Sequence, residues 1–319
     1  MIEVKGKGCI SAKIIADSIS ENGRRITTFE LEYNRFIHSE LMTHRLLSRN
    51  AMSSRAVPIE KTIDQVRNNP AMPIHWGKNQ RGMRADEECD NKIGMYSKEE
   101  WWKLSALSAA RFAEEFKDAD YAKQIVNRIL EPFQIMKTVV TATEWDNFFY
   151  LRCHTDAQPE IKELAGCMYQ AREQSVPKKL KAKQWHLPYV QTAECMDTGL
   201  QYYFTGVPFE SDEINLEDAQ KVSASCCAQV SYRLLDDSLD KAIMIYDRLV
   251  ESKPVHASPF EHQASPLVFP TDDACGFEEG TTHSDFKRNC WSGNFKGWVQ
   301  YRQLIKDNVC DKYEHNATT

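Results

Sequence analysis

Two apolar-rich stretches open the chain. Residues 11–18 come first, and residues 26–33 then alternate Thr, Phe and Leu with polar positions, as a half-buried strand does. Between them Asn22-Gly23 is a residue pair that favours a tight hairpin turn. Asn34 is placed to cap a helix over residues 35–49, to which Phe36, Ile37, Leu41, Leu46 and Leu47 supply apolar contacts. Residues 58–95, punctuated by Pro58, Pro70, Pro73, Gly77, Gly82 and Gly94, read as irregular. Ser97 followed by Glu100 is a capping-box pattern that opens a helix to about Phe116, and a second helix covers residues 121–130 and stops before Pro132. The β-branched run 138–143 leaves strand and helix open. Residues 156–173 carry Ile161, Leu164, Ala165 and Met168 along one helical face. A basic run at 178–183 reads as a surface loop, residues 239–250 as an amphipathic helix capped by Asp237 or Ser238, 254–270 as loop and 296–306 as the last helix. Helices interleaved with a few hairpin strands predict an α+β fold rather than a parallel sheet.

Composition narrows the class without choosing a function. At 319 residues, 42% hydrophobic and 27% charged, the chain has the make-up of a soluble globular protein with a sizeable core. No run approaches the roughly 18 apolar residues of a membrane span. A formal charge of −6 argues against a binder of nucleic-acid polymers or membrane surfaces, so an anionic ligand has to be met by a local basic pocket. The ten cysteines are scattered and residues 1–10 lack the apolar core of an export signal, which predicts reduced thiols and a cytoplasmic location. Cys275, His283 and Cys290 match no common zinc spacing, and no metal is assigned to them.

The densest polar stretch runs from Thr43-His44-Arg45 through Ser48, Arg49, Asn50, Ser53 and Ser54 to Arg55. Guanidinium forks and hydroxyls of this kind hydrogen-bond phosphate oxygens, which suits nucleotide binding. A solvated basic helix end, favoured by the macrodipole, has the same composition.

This stretch resembles the RHR…S signature of the flavin-dependent thymidylate synthases. His44-Arg45 is followed after seven residues by Ser53, and Ser48, Asn50 and Arg55 fall where the family's longer pattern has them. Asn147-Phe148-Phe149-Tyr150-Leu151-Arg152, with Asp156 through Lys162 beyond it, is similar to the family's segment that contacts flavin and the uracil ring. His256-Ala257-Ser258-Pro259-Phe260-Glu261-His262 is similar to its flavin loop. In the family that loop precedes the RHR segment; here it follows by about two hundred residues. Ala228 to Tyr232 and the helix over 239–250 resemble the family's amino-terminal strand and helix. The resemblance covers roughly residues 26–56, 123–172 and 224–264. It implies one domain over 1–319, an antiparallel sheet with surrounding helices in circularly permuted order, with insertions at about 58–120 and 173–223.

The resemblance also implies roles. His44, Arg45, Asn50, Arg152, Asp156, His256 and Ser258 would bind FAD. Ser53, Arg55, Arg128 and Lys137 would hold the nucleotide phosphate, with Glu40 at the base. Lys162, where the family has an arginine, would polarise the pyrimidine as a point charge. Thr43 replaces the first arginine of RHR, and Glu40 stands where the family has Gln; Glu40 suits either an amino group on the base or an i,i+4 pairing with His44. The implied reaction moves a one-carbon unit from methylenetetrahydrofolate to C5 of a pyrimidine deoxynucleotide, dUMP to dTMP first, with FAD as electron donor, NADPH as its reductant and a homotetramer as the assembly. Two alternatives stand beside it: hydroxymethylation of dUMP or dCMP, and a non-catalytic nucleotide- and flavin-binding relative. No cysteine is placed as a nucleophile; Cys153, the nearest, is expected to pack as a small hydrophobe. Trp76, Trp185 and Tyr189 are candidates to line a pocket for an aromatic ring.

Overall fold

The computed structural model describes residues 2–81, 85–196, 199–204, 208, 212–230, 238–268 and 277–313. The chain divides into two compact units. The first takes in Met1–Ser18, Arg25–Lys178 and Gln229–Leu234, the second Ile19–Arg24, Lys179–Ala228 and Leu235–Thr319. The secondary structure is α+β, and the strand pairs whose register is resolved are antiparallel.

In the first unit β2 (Ser11–Ser20) and β3 (Arg25–Asn34) are neighbours in the sheet, and the turn between them places Gly23 at φ +76°. With β1 (Glu3–Lys5), β4 (Ser48–Ala51) and β5 (Ile135–Ala142) they follow the order β1-β2-β3-β5-β4. The run left open between strand and helix is strand: β5 pairs β3 from Thr27↔Ala142 to Asn34↔Ile135, and both of its faces are covered, which suits β-branched side chains. The core on this sheet joins Phe29, Leu31, Tyr33, Met136 and Val140 to Ile161, Leu164 and Met168 of α6 (Pro159–Gln174), and to Trp145 and Phe148 beside and within α5 (Asp146–Arg152). Each such buried side chain contributes about 1.5–3 kcal/mol. A second core packs Ile63 and Val66 of α2 (Ile59–Asn68) and Ala106, Ala110 and Ala113 of α3 (Lys98–Asp118) against Val126 and Leu130 at α4 (Lys123–Ile129). The capping box at Ser97 and Glu100 is present.

Several elements differ from the sequence expectation. The helix expected over 35–49 is a 3₁₀ turn at Arg35–Ile37, a short α1 (His38–Met42), a turn and then β4. Pairing with β5 satisfies the backbone of Ser48–Ala51 and buries Ser48, which a continuing helix would not do. Asn34 makes no cap; its Nδ2 donates to Met72 O at 2.7 Å. The irregular stretch contains α2, whose Ile63 and Val66 are spaced to bury one face. Part of the basic run is β6 (Lys178–Leu180).

The second unit holds β7 (Gln191–Cys195), β8 (Gly199–Tyr203) and β9 (Glu213–Ile214) as one antiparallel sheet, with α7 (Leu216–Ala228) packed on α8 (Leu239–Glu251). Ser238 caps α8 by accepting from Lys241 N at 3.2 Å. Asp237, the other candidate cap, lies outside the described residues, as do Cys275 and residues 231 and 232 of the strand expected at 228–232. β10 (Ala264–Pro266) pairs β14 (Trp298–Gln300), and β11 (His283–Ser284), β12 (Cys290–Ser292) and β13 (Phe295–Lys296) form a further sheet. The helix expected at 296–306 is therefore strand followed by a 3₁₀ turn at Tyr301–Leu304. Gly297 sits at φ +73°, which a right-handed helix does not accommodate.

Candidate functional site

Short elements on the first unit's sheet build the site. β3 runs into α1, which delivers Glu40; the turn after it carries Thr43 and His44; β4 then returns the chain to the sheet beside β5. The chain leaving β5 forms α5, whose last residue is Arg152. Its guanidinium donates through Nε to His44 Nε2 at 2.8 Å, through one terminal nitrogen to Glu40 Oε2 at 3.0 Å, and through the other to Thr43 Oγ1 at 3.2 Å. Two motifs about a hundred residues apart thus meet on one side chain. Arg49, unassigned from sequence, donates to the carbonyls of Met42 and His44 at 2.8 and 2.9 Å and ties the turn to β4.

Because a guanidinium only donates, Nε2 of His44 is an acceptor and the neutral ring carries its proton on Nδ1. Partial burial, then the charges of Arg152 and Arg49, hold the His44 pKa below the usual histidine value. Phe148 of α5 meets the ring edge-on with centroids 4.9 Å apart. Glu40 pairs with Arg152, so the departure from the family's Gln serves this cluster rather than the i,i+4 pairing with His44.

Glu40, Arg152, Asp156 and Lys162 line one cavity of about 1100 Å³, at the upper end of ligand-pocket sizes. Its facing wall comes from a stretch that sequence reading left unassigned and includes Ile74, His75, Gly77, Asp86, Glu88 and Trp102. That wall is built, not loose. His75 contacts Ala85 O at 2.7 Å and Glu88 Oε1 at 3.2 Å, and Lys98 contacts Glu88 at 3.3 Å and Asp90 at 2.7 Å. Trp76 does not line the cavity but packs edge-on against Trp102, which does. Buried Glu160 joins the wall to α6 by accepting from Ile74 N at 2.8 Å and from Gln158. Trp76 and the capping box of α3 are the sequence signals near this wall.

Arg45 is exposed and is not among the cavity-lining residues. Asn50 is half-buried on β4, opposite Val139. Ser53, Arg55, Arg128 and Lys137 also lie off this cavity. Ser53 and Arg55 sit on the turn after β4, where Met52 N donates to Lys137 O at 2.9 Å, while the Lys137 side chain pairs with Glu32 at 2.9 Å. Asn127, next to Arg128 and missed from sequence, donates to the carbonyls of Ser54 and Val57. Cys153 is exposed rather than packed as a small hydrophobe, because it follows α5 on the surface. Partial burial still raises its thiol pKa against the opposing pull of Lys162.

In the second unit His256 and Ser258 are both exposed, on the turn that precedes and enters a 3₁₀ helix at Ser258–Glu261. His256 N donates to Leu249 O at 3.1 Å, and Phe260 anchors the turn in a core with Ala224 and Tyr301. Trp185 and Tyr189 pack against a core of the same unit. Among the described residues no three His, Cys, Asp or Glu side chains converge as a metal site, and no helix is long and apolar enough to cross a membrane.

Residues 25–178 match the family model described as thymidylate synthase complementing protein. No curated protein matches the chain. Among solved structures it is similar to the UMP/dUMP methylase PolB of Streptomyces cacaoi bound with 5-Br UMP, at 18% identity and a TM-score of 0.41, over 52% of this chain and 89% of that one. It is also similar to the flavin dependent thymidylate synthase ThyX of Helicobacter pylori complexed with FAD and dUMP, at 18% identity and a TM-score of 0.32, over 46% of this chain and 67% of that one.

Proposed function

We propose, from the match of residues 25–178 to the thymidylate synthase complementing protein family, that this chain transfers a one-carbon unit from methylenetetrahydrofolate to C5 of a pyrimidine deoxynucleotide, dUMP first. The observation that carries the proposal is the Arg152 cluster. Glu40, Thr43 and His44 from one family segment meet Arg152 from another, and Glu40 and Arg152 stand on a cavity of about 1100 Å³. The donor set fits a flavin: a neutral imidazole with its N–H on Nδ1, and the guanidinium of Arg152 fixed by three acceptors. His44, Arg45, Asn50, Arg152 and Asp156 would hold FAD. When bound, the flavin supplies the electrons that complete the methyl group, and NADPH restores them.

The chain's own residues bind and polarise. Lys162 lines the cavity as a cation that favours negative charge developing on the pyrimidine. Ser53, Arg55, Arg128 and Lys137 bind the 5′-phosphate. Glu40 is engaged by Arg152, which favours uracil over a base whose amino group would need that carboxylate. The working assembly is a homotetramer over a single permuted domain with insertions at about 58–120 and 173–223.

The test is mass spectrometry of dUMP and dCMP incubated with the protein, FAD, methylenetetrahydrofolate and NADPH. A methyl gained by dUMP is expected. A hydroxymethyl product would replace the methyl transfer with its relative. Flavin bound without any product would contradict catalysis.

A further inference from the structure

Behind the turn that carries Ser53 and Arg55 lies Asn127 of α4, with no exposed surface. Its Nδ2 donates to Ser54 O at 2.9 Å and to Val57 O at 3.1 Å. Carbonyls only accept, so the amide orientation is fixed, and both of its N–H donors are spent on this one turn. The other end of the amide shows what the arrangement costs: Oδ1 is buried with no hydrogen-bond partner among the described residues. Folded proteins normally avoid such an atom, and where one persists it calls for a reason. The backbone of Asn127 is itself pinned, its carbonyl accepting from Gln134 Nε2 at 3.1 Å.

The turn is shaped around this amide. Ser53 O accepts from Ala56 N and Val57 N at 2.9 and 3.1 Å, and Ser53 Oγ accepts from Arg55 N at 3.3 Å. The carbonyls of Ser53, Ser54 and Val57 are therefore all committed to donors of the turn or of α4. Three backbone carbonyls are thus turned to donors within the turn or on α4, and Arg55 on the turn and Arg128 on the helix behind it are exposed.

We infer that Asn127 is a positioning residue for phosphate recognition, holding the Ser53–Arg55 turn in an anion-binding shape through its two carbonyl bonds. The inference rests on the proposed phosphate role of Ser53 and Arg55. A purely structural Asn127 would also lower thermal stability when replaced, so stability alone cannot decide.

The deciding quantity is how much more tightly the flavin-loaded full chain binds dUMP than deoxyuridine, which lacks only the phosphate. It is measured by calorimetry on the wild type, Arg55→Ala and Asn127→Ala. Arg55→Ala and Asn127→Ala are each expected to cut the dUMP-to-deoxyuridine affinity ratio about tenfold or more, by losing a charged contact or its geometry, with deoxyuridine affinity changed by less than about threefold. Should Asn127→Ala not fold, Asn127→Ser, which keeps one donor, is expected to lower the ratio in part. A wild-type ratio in the asparagine variants beside a collapsed ratio in Arg55→Ala overturns the inference alone, as does an equal loss for both ligands. A wild type that does not distinguish the two ligands, or an unaffected Arg55→Ala, removes the phosphate assignment and the inference with it.

Discussion

Arg152 Nε lies 2.8 Å from His44 Nε2, and this one hydrogen bond fixes which nitrogen of the imidazole carries the proton. The same guanidinium is held by Glu40 and Thr43, so four residues from two motif segments act as a unit. Arg152→Lys keeps the charge but loses the fork, since an ammonium cannot present three donors in one plane. FAD affinity, read from flavin absorbance after gel filtration, is expected to fall by about 10- to 100-fold, the equivalent of one charged hydrogen bond at about 1.5–3 kcal/mol. Glu40→Gln, which keeps an acceptor for Arg152, is expected to retain more flavin than Glu40→Ala. Equal retention in both would separate Glu40 from the cluster.

Acid is expected to weaken the first unit through its histidines. Burial first, then the charges of Arg35 and Arg49, lower His38 to about 4, and His44 is lowered as well. Both folded values lie below the unfolded value near 6.5, so between them the unfolded chain binds more protons. Stability is fully present above about pH 6.5, is lost as the pH falls from there towards 4, and levels off once both states are protonated. The His38 share is on the order of 1–3 kcal/mol. Thermal unfolding followed from pH 7 to pH 4 should show a shallower loss in His38→Gln than in the wild type. An identical slope would remove His38 from the account.

The wall facing Arg152 depends on a glycine. A Cβ at Gly77 would stand 2.4 Å from Ala85 Cβ, inside the segment that contributes His75, Asp86 and Glu88 to the cavity. Gly77→Val is expected to cost about 1–3 kcal/mol and to displace this wall. The check is a lowered melting temperature together with a raised KM for dUMP, the substrate proposed for this cavity. A melting temperature and KM both at wild-type values would show that the wall yields freely.

Asp17 anchors the start of β3. It accepts from Arg25 Nε at 3.0 Å, from a second Arg25 nitrogen at 2.6 Å and from Thr27 Oγ1 at 2.9 Å, and its side chain is 4% exposed. Asp17→Ala leaves a largely buried guanidinium without its carboxylate, and a loss of about 3–5 kcal/mol is expected in chemical denaturation. A loss under about 1 kcal/mol would place the pair among solvent-screened ones.

The sequence made the local grammar legible: the Asn22-Gly23 turn, the box at Ser97 and Glu100, the cap at Ser238 and the apolar face of α6 all depend on near neighbours. What it hid was long-range. Residues 48–51 look helical until β5, nearly ninety residues later, offers a strand to pair with, and residues 296–300 look helical until Gly297 turns left-handed beside a strand partner. The candidate site divides the same way. The motif named Glu40, His44 and Arg152, while Arg49, Asn127 and the His75–Glu88 wall act through backbone carbonyls and paired side chains that carry no local signature.

The most direct measurement is release of tritium from dUMP labelled at C5, with FAD, methylenetetrahydrofolate and NADPH supplied to the full chain. Substitution at C5 must displace that hydrogen. Release that requires the folate substrate and is lost in Arg152→Ala is the predicted result; flavin-loaded, dUMP-binding protein that releases no tritium would contradict the account.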